Sequence, residues 1–90
     1  MDIKNLIESV KDDYPFPQIF EETSDTISNL VSVLESEIPN GGNILDIGAG
    51  ALDKVAVLQK AGYQCFACDD FEDPWHKNED HIKPIYQYAS

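Results

Sequence analysis

Residues 43–70 constrain this chain more than any other stretch. Asn43-Ile44-Leu45-Asp46-Ile47 is a short, nearly continuous apolar run, the pattern of a parallel strand covered on both faces. It passes straight into Gly48-Ala49-Gly50-Ala51-Leu52, which reads as a tight loop. Asp53 through Ala61 is predicted helical, with Val55, Val57, Leu58 and Ala61 available for a buried face. Gly62 suits a left-handed helix cap. Tyr63 to Cys68 reads as a second strand ending at Asp69-Asp70. Strand, helix and strand in that order predict a right-handed, parallel βαβ unit.

Residues 1–40 form a helical segment ahead of that unit. Asp2 is a suitable N-cap, and Ile3, Leu6, Ile7 and Val10 follow at the i, i+3, i+4, i+7 spacing of an amphipathic helix. Tyr14-Pro15-Phe16-Pro17 breaks it, because each proline pushes the preceding residue out of the helical region. A second helix is predicted over Gln18–Glu37, with an apolar stripe of Ile27, Leu30, Val31, Leu34 and Ile38. Pro39-Asn40-Gly41-Gly42 then supplies turn chemistry. Residues 41–90 carry the βαβ unit, an acid-rich connection over Phe71–Asp80, and a final helix expected to open at Pro84.

Ninety residues allow one small domain, and 42% hydrophobic residues make a packed core the expectation rather than disorder. Seventeen acids against six Lys and Arg leave a net charge of −11, which argues against nucleic acid or an anionic membrane as a partner of this segment. No apolar run approaches the ~20 residues that cross a bilayer. The start, Met1-Asp2-Ile3-Lys4-Asn5, lacks the basic and apolar regions of a secretory signal, so the expected location is cytoplasmic.

Cys65 and Cys68 form a C-x-x-C, but on a strand these positions face opposite ways. A redox pair needs a helix N-terminus and a zinc site needs a second ligand pair, so both cysteines are expected to be buried structural thiols. Asp69, Asp70, Glu72, Asp73, Glu79 and Asp80 lack the alternating spacing of a calcium loop and read as a solvated acidic loop, with no metal site. His76 and His81 have no nucleophile at a recognisable spacing and are expected at the surface, with Trp75 and Phe71 as loop anchors.

A strand end, a glycine turn and a helix N-terminus together make a dipole site, where free backbone N–H groups converge. Glycines let a ligand approach the backbone. An acid at the end of the next strand can accept both hydroxyls of a ribose, and Asp69 lies nineteen positions after Gly50, near the ~20 expected for that role. A dinucleotide fingerprint would need glycine where Asp53 stands.

Ile44-Leu45-Asp46-Ile47-Gly48-Ala49-Gly50 resembles the first motif of class I S-adenosylmethionine-dependent methyltransferases. Lys60-Ala61-Gly62-Tyr63 followed by Ala67-Cys68-Asp69 resembles their second helix end and second-strand acid. The resemblance covers about residues 42–71 and implies an α/β fold: N-terminal helices, then the first βαβ unit of a Rossmann-like parallel sheet, apparently truncated. It implies S-adenosyl-L-methionine as cofactor, with Gly48, Ala49 and Gly50 along the methionine part. By the same resemblance Asp46 contacts the methionine ammonium, Asp69 binds the ribose, and Asp70 and Phe71 lie beside the adenine. The family usually carries a third glycine where this chain has Leu52, which is expected to narrow the loop.

The function expected from the resemblance is the cofactor-binding portion of a methyltransferase, without activity as this piece alone and with the acceptor undefined. The competing expectation is a small acidic α/β interaction module without catalysis. An apolar first strand with one neighbour also predicts self-association through its open edge.

Overall fold

The computed structural model describes residues 2–89; Met1 and Ser90, the outer ends of the two expected segments, lie outside them. Helix α1 spans Ile3–Lys11, capped as predicted by Asp2, whose carboxylate accepts from the Asn5 N–H. Tyr14-Pro15-Phe16 turns the chain into a 3-10 turn at Pro17–Ile19, and helix α2 follows over Phe20–Glu37. Strand β1 is Asn43–Ile47, helix α3 is Asp53–Lys60 and strand β2 is Gln64–Cys68. A second 3-10 turn, Pro74–Lys77, precedes helix α4, Glu79–Ile85, and a last one covers Tyr86–Tyr88. The described residues are thus mixed α/β, with four α-helices and a two-stranded parallel sheet.

The strands pair in register from Asn43 opposite Gln64 to Ile47 opposite Cys68. Helix α3 is the centre of the molecule. Its Val55, Ala56, Val57 and Leu58 are all buried, the signature of a helix covered all round. Helices α1 and α2 and strand β2 all pack against it. Ile7, Val10, Phe20, Ile27, Val31, Leu52, Cys65, Ile82 and Ile85 join it in one continuous core. The α2 stripe is as predicted in Ile27 and Val31, with Leu30, Leu34 and Ile38 half-buried beside them.

Four expectations need correction. Strand β1 is covered on one face only, with Leu45 and Ile47 60% and 77% exposed on the other. No helix lies over that face among the described residues, so the apolar run does not mark two-sided burial. The last helix starts at Glu79, not Pro84; Asn78 caps it and Pro84 sits in its final turn. Only Cys65 is buried, while Cys68 is exposed, because the strand alternation that separates them puts Cys68 on the naked face. His76 is buried and His81 half-buried rather than at the surface. No helix among the described residues is long and apolar enough to cross a membrane.

Candidate functional site

The β1–α3 loop is built against the end of β2. The Gly48 and Ala49 N–H groups donate to the Cys68 carbonyl at 2.7 and 3.2 Å, continuing the parallel ladder into the loop. Gly50 is then held from both ends of its peptide. Its N–H donates to Asp69 Oδ2 at 2.9 Å, and its carbonyl lies 2.8 Å from His76 Nε2. A carbonyl can only accept, so Nε2 is the protonated ring nitrogen. Nδ1 of His76 is buried without a hydrogen-bond partner among the described residues. Gly48 and Gly50 have φ of 72° and 60°, and a Cβ added at either would meet nothing within 4 Å. The loop backbone therefore faces open space that a side chain would fill.

That space belongs to a cleft of about 410 Å³ lined by Ile19, Gly48, Gly50, Asp69, Trp75 and His76, together with Ala51 and Asp73. Three predicted site residues, Gly48, Gly50 and Asp69, meet there. Asp69 also accepts from the Phe71 N–H at 2.8 Å through Oδ1. These backbone bonds, Phe71 first and Gly50 second, hold its carboxyl below the usual carboxylate range. Each oxygen keeps a lone pair beyond the backbone bond it already accepts, so the carboxylate is still able to receive hydroxyls.

The other three predicted residues sit differently. Ala49 is buried in the core and does not line the cleft. Asp70 is exposed, and its Oδ1 accepts from the Glu72 N–H in a local turn. Asp46 lies half-buried on the covered face of β1. Burial raises its carboxyl above the ordinary value; Lys54 opposes that rise, and Asp53 and Asp69 add to it. Asp53 is almost wholly buried at the first position of α3, with Oδ2 lacking a hydrogen bond and Lys54 Nζ 3.7 Å away. It does not cap α3: the cap position is Leu52, which makes no side-chain hydrogen bond. Three carboxylates thus gather around this loop, two of them, Asp46 and Asp53, with Lys54 as a cationic neighbour.

Leu52 does not narrow the cleft as expected. Its left-handed backbone, φ 63°, turns the side chain into the core, where it is 1% exposed. The N-terminal segment also reaches the loop. Tyr14 donates its hydroxyl to the Ala51 carbonyl at 2.6 Å, and burial raises its phenol pKa, with Asp53 adding to the rise.

Sequence reasoning missed Ile19, Ala51, Asp73, Trp75 and His76 as cleft residues. One signal was present. Asp73-Pro74 pairs a capping acid with proline at the first turn, and Asp73 does accept from the Trp75 N–H at 2.8 Å. That turn delivers Trp75 and His76 to the cleft. Trp75 stacks on His81 at 4.6 Å and meets Phe16 edge-on at 5.5 Å, anchoring the connection as expected. Among the described residues no group of three or more His, Cys, Asp or Glu is arranged to hold a metal ion. Compared with protein-family models, with curated proteins and with solved structures, the chain matches none of them.

Proposed function

We propose that this chain binds the adenosyl and methionine parts of S-adenosyl-L-methionine in the cleft between the glycine loop and the 74–77 turn, as the opening βαβ unit of a Rossmann-like methyltransferase domain. The observation that carries the reading is the Gly50–Asp69 hydrogen bond. It brings the glycine loop and the acid that follows β2 to the same cleft, with the N–H groups of Gly48, Ala49 and Gly50 all engaged within the chain rather than free as first expected. The cleft volume, about 410 Å³, falls in the range of ~300–1,000 Å³ usual for small-molecule sites.

The residues fit such a ligand in distinct ways. Asp69 would accept the ribose hydroxyls on its free lone pairs. Gly48 and Gly50 would admit the methionine chain against bare backbone. Asp46 and Asp53 do not line the cleft, and would favour a cationic ligand there only through space, as negative charges behind the loop. When bound, the cofactor supplies an electrophilic methyl group, and transfer then depends on aligning an acceptor in line with it. The groups around this cleft account for the cofactor side only, so the methyl acceptor stays undefined.

Calorimetry with S-adenosylmethionine and with NAD tests the reading. Heat should be seen with the first alone, and Asp69→Ala should weaken it by about tenfold or more, the effect of unpairing a ribose hydroxyl. Equal binding of NAD, or an affinity indifferent to Asp69, would remove the assignment. The second reading, an acidic interaction module, is favoured by the naked face of the sheet.

A further inference from the structure

The two histidines are tied down by different backbone carbonyls, and only His76 belongs to the cleft already described. His81 Nδ1 lies 2.9 Å from the Trp75 carbonyl oxygen. A carbonyl can only accept, so Nδ1 carries the proton, and in the neutral ring Nε2 is left as an acceptor. Among the described residues no group donates to that nitrogen. The ring is half-buried, and Trp75 stacks on it at 4.6 Å with 21° between the planes. Phe16 meets both rings edge-on, 5.5 Å from Trp75 and 5.7 Å from His81. Backbone and rings thus fix the orientation of an imidazole whose second nitrogen is unused.

That imidazole lines a second cavity, of about 360 Å³, together with Phe16, Gln18, Ile19, Glu22 and Trp75. Ile19 and Trp75 also line the glycine-loop cleft, so the two spaces adjoin. The walls define what suits the cavity. Phe16, Trp75, the imidazole and Ile19 favour a flat apolar body, held by offset-stacked or edge-to-face contacts. Glu22 sets a carboxylate in the wall of a chain with net charge −11, which disfavours an anion. The Glu22 carboxylate and His81 Nε2 both accept, and Gln18 can take either role, so a polar group that enters must donate. An aromatic hydroxyl, more acidic than an aromatic amine, is the stronger donor to such a nitrogen.

We propose that this second cavity binds a compound with a flat aromatic ring carrying a hydroxyl, the ring against Phe16 and Trp75 and the O–H donated to His81 Nε2. The acceptor is set before any ligand arrives, because the Nδ1–H is tied to the backbone, and a preorganised group loses little freedom on binding. The proposal does not depend on the cofactor reading. The cavity shares two walls with the glycine-loop cleft but includes none of Gly48, Gly50 and Asp69.

Phenol and anisole provide the test, since the methyl group of anisole removes the donor and leaves the ring. Each is titrated into the full chain and followed by NMR of isotope-labelled histidine and of the aromatic side chains. Phenol should shift His81 Nε2 and the rings of Phe16 and Trp75, and should bind about fivefold more tightly than anisole, the effect of one hydrogen bond. His81→Phe keeps a ring for Trp75 to stack on and removes the acceptor. Once circular dichroism verifies its fold, it should bind phenol no better than anisole; the two probes on the unaltered chain decide the matter even where the variant does not fold. An Nε2 resonance that stays in place overturns the proposal, as does equal affinity for phenol and anisole, or undiminished phenol binding by folded His81→Phe. So do shifts confined to Gly48, Gly50 and Asp69, since phenol would then occupy the other cleft. S-adenosylmethionine is absent throughout, so failure of the cofactor reading would leave this result intact.

Discussion

At the scale of single residues, Asp46 and Asp69 are the same side chain in opposed circumstances. Asp69 gains backbone N–H partners and its pKa falls; Asp46 is desolvated and faces Asp53 and Asp69, and its pKa rises above 3.8. Linkage gives the signs. Asp69 contributes stability that is present above the unfolded value near 3.8 and lost as pH falls through its lower folded pKa. For Asp46 the folded protein holds its proton more tightly than the unfolded chain, so stability declines as pH rises from 3.8 through its folded pKa. Asp46→Asn should therefore raise Tm at pH 7, with the gain closing below pH 3.8 in a series of thermal melts. If Asp46 holds a ligand ammonium, the same variant loses affinity while gaining stability, the trade expected of a charge kept for function. His76 is a second residue-scale test. His76→Ala orphans the Gly50 carbonyl and opens a void beside Phe71 and Trp75, and urea unfolding should show a loss of about 1–3 kcal/mol. His76→Gln keeps an N–H donor and should retain most of it. Equal losses in both variants would mean that ring packing, not the hydrogen bond, holds the loop.

At the scale of elements, β2 carries a thiol on each face. Cys65 is buried, and desolvation, with Asp46 adding to it, pushes its pKa to about 11. Cys68 is exposed. Since the thiolate is the reactive form, a maleimide should modify Cys68 in the native protein and Cys65 only after denaturation. Mass spectrometry of the digested product reads this directly; native labelling of Cys65 would contradict the pairing register of the two strands. Much of the element plan was legible in the chain. The α1 cap, the bounds of β1, and α2 to its end at Glu37 follow from capping, periodicity and proline chemistry. The start of α4 did not, because Asn78 is an ordinary polar residue until its side-chain Oδ1 accepts the Asp80 N–H at 2.9 Å. Pro84 is better suited to the first turn of a helix, where its missing N–H costs nothing, and so it misplaced the start of a helix whose last turn it occupies.

At the scale of the whole molecule, the core is asymmetric. Helix α3 is enclosed by α1, α2 and β2, while the sheet's outer face is bare. Large apolar residues should thus fall into two classes. Ile27, fully buried between the helices, should cost about 2–5 kcal/mol when cut to Ala, the usual range for that change in a packed core. Leu45→Ala, on the naked face, should stay within about 0.5 kcal/mol, as surface changes do. Chemical denaturation of the two variants would show the contrast. A large loss for Leu45→Ala at low concentration would mean that its face is covered in solution.

The sequence by itself determined the local and near-local parts: helix caps, the strand–loop–helix–strand order, and the spacing that puts Asp69 within reach of Gly50. These depend on dihedral preferences and on hydrogen bonds within one βαβ unit. Tertiary structure alone decided which face of β1 would be covered, since an apolar run looks the same whether one layer or two packs against it. It decided likewise that His76 would close on Gly50 from 26 residues away and that Tyr14 would reach Ala51 across 37. It also decided that Leu52 would turn inward. Such contacts join segments with no shared periodicity, and their energies exist only once burial has removed water from between them.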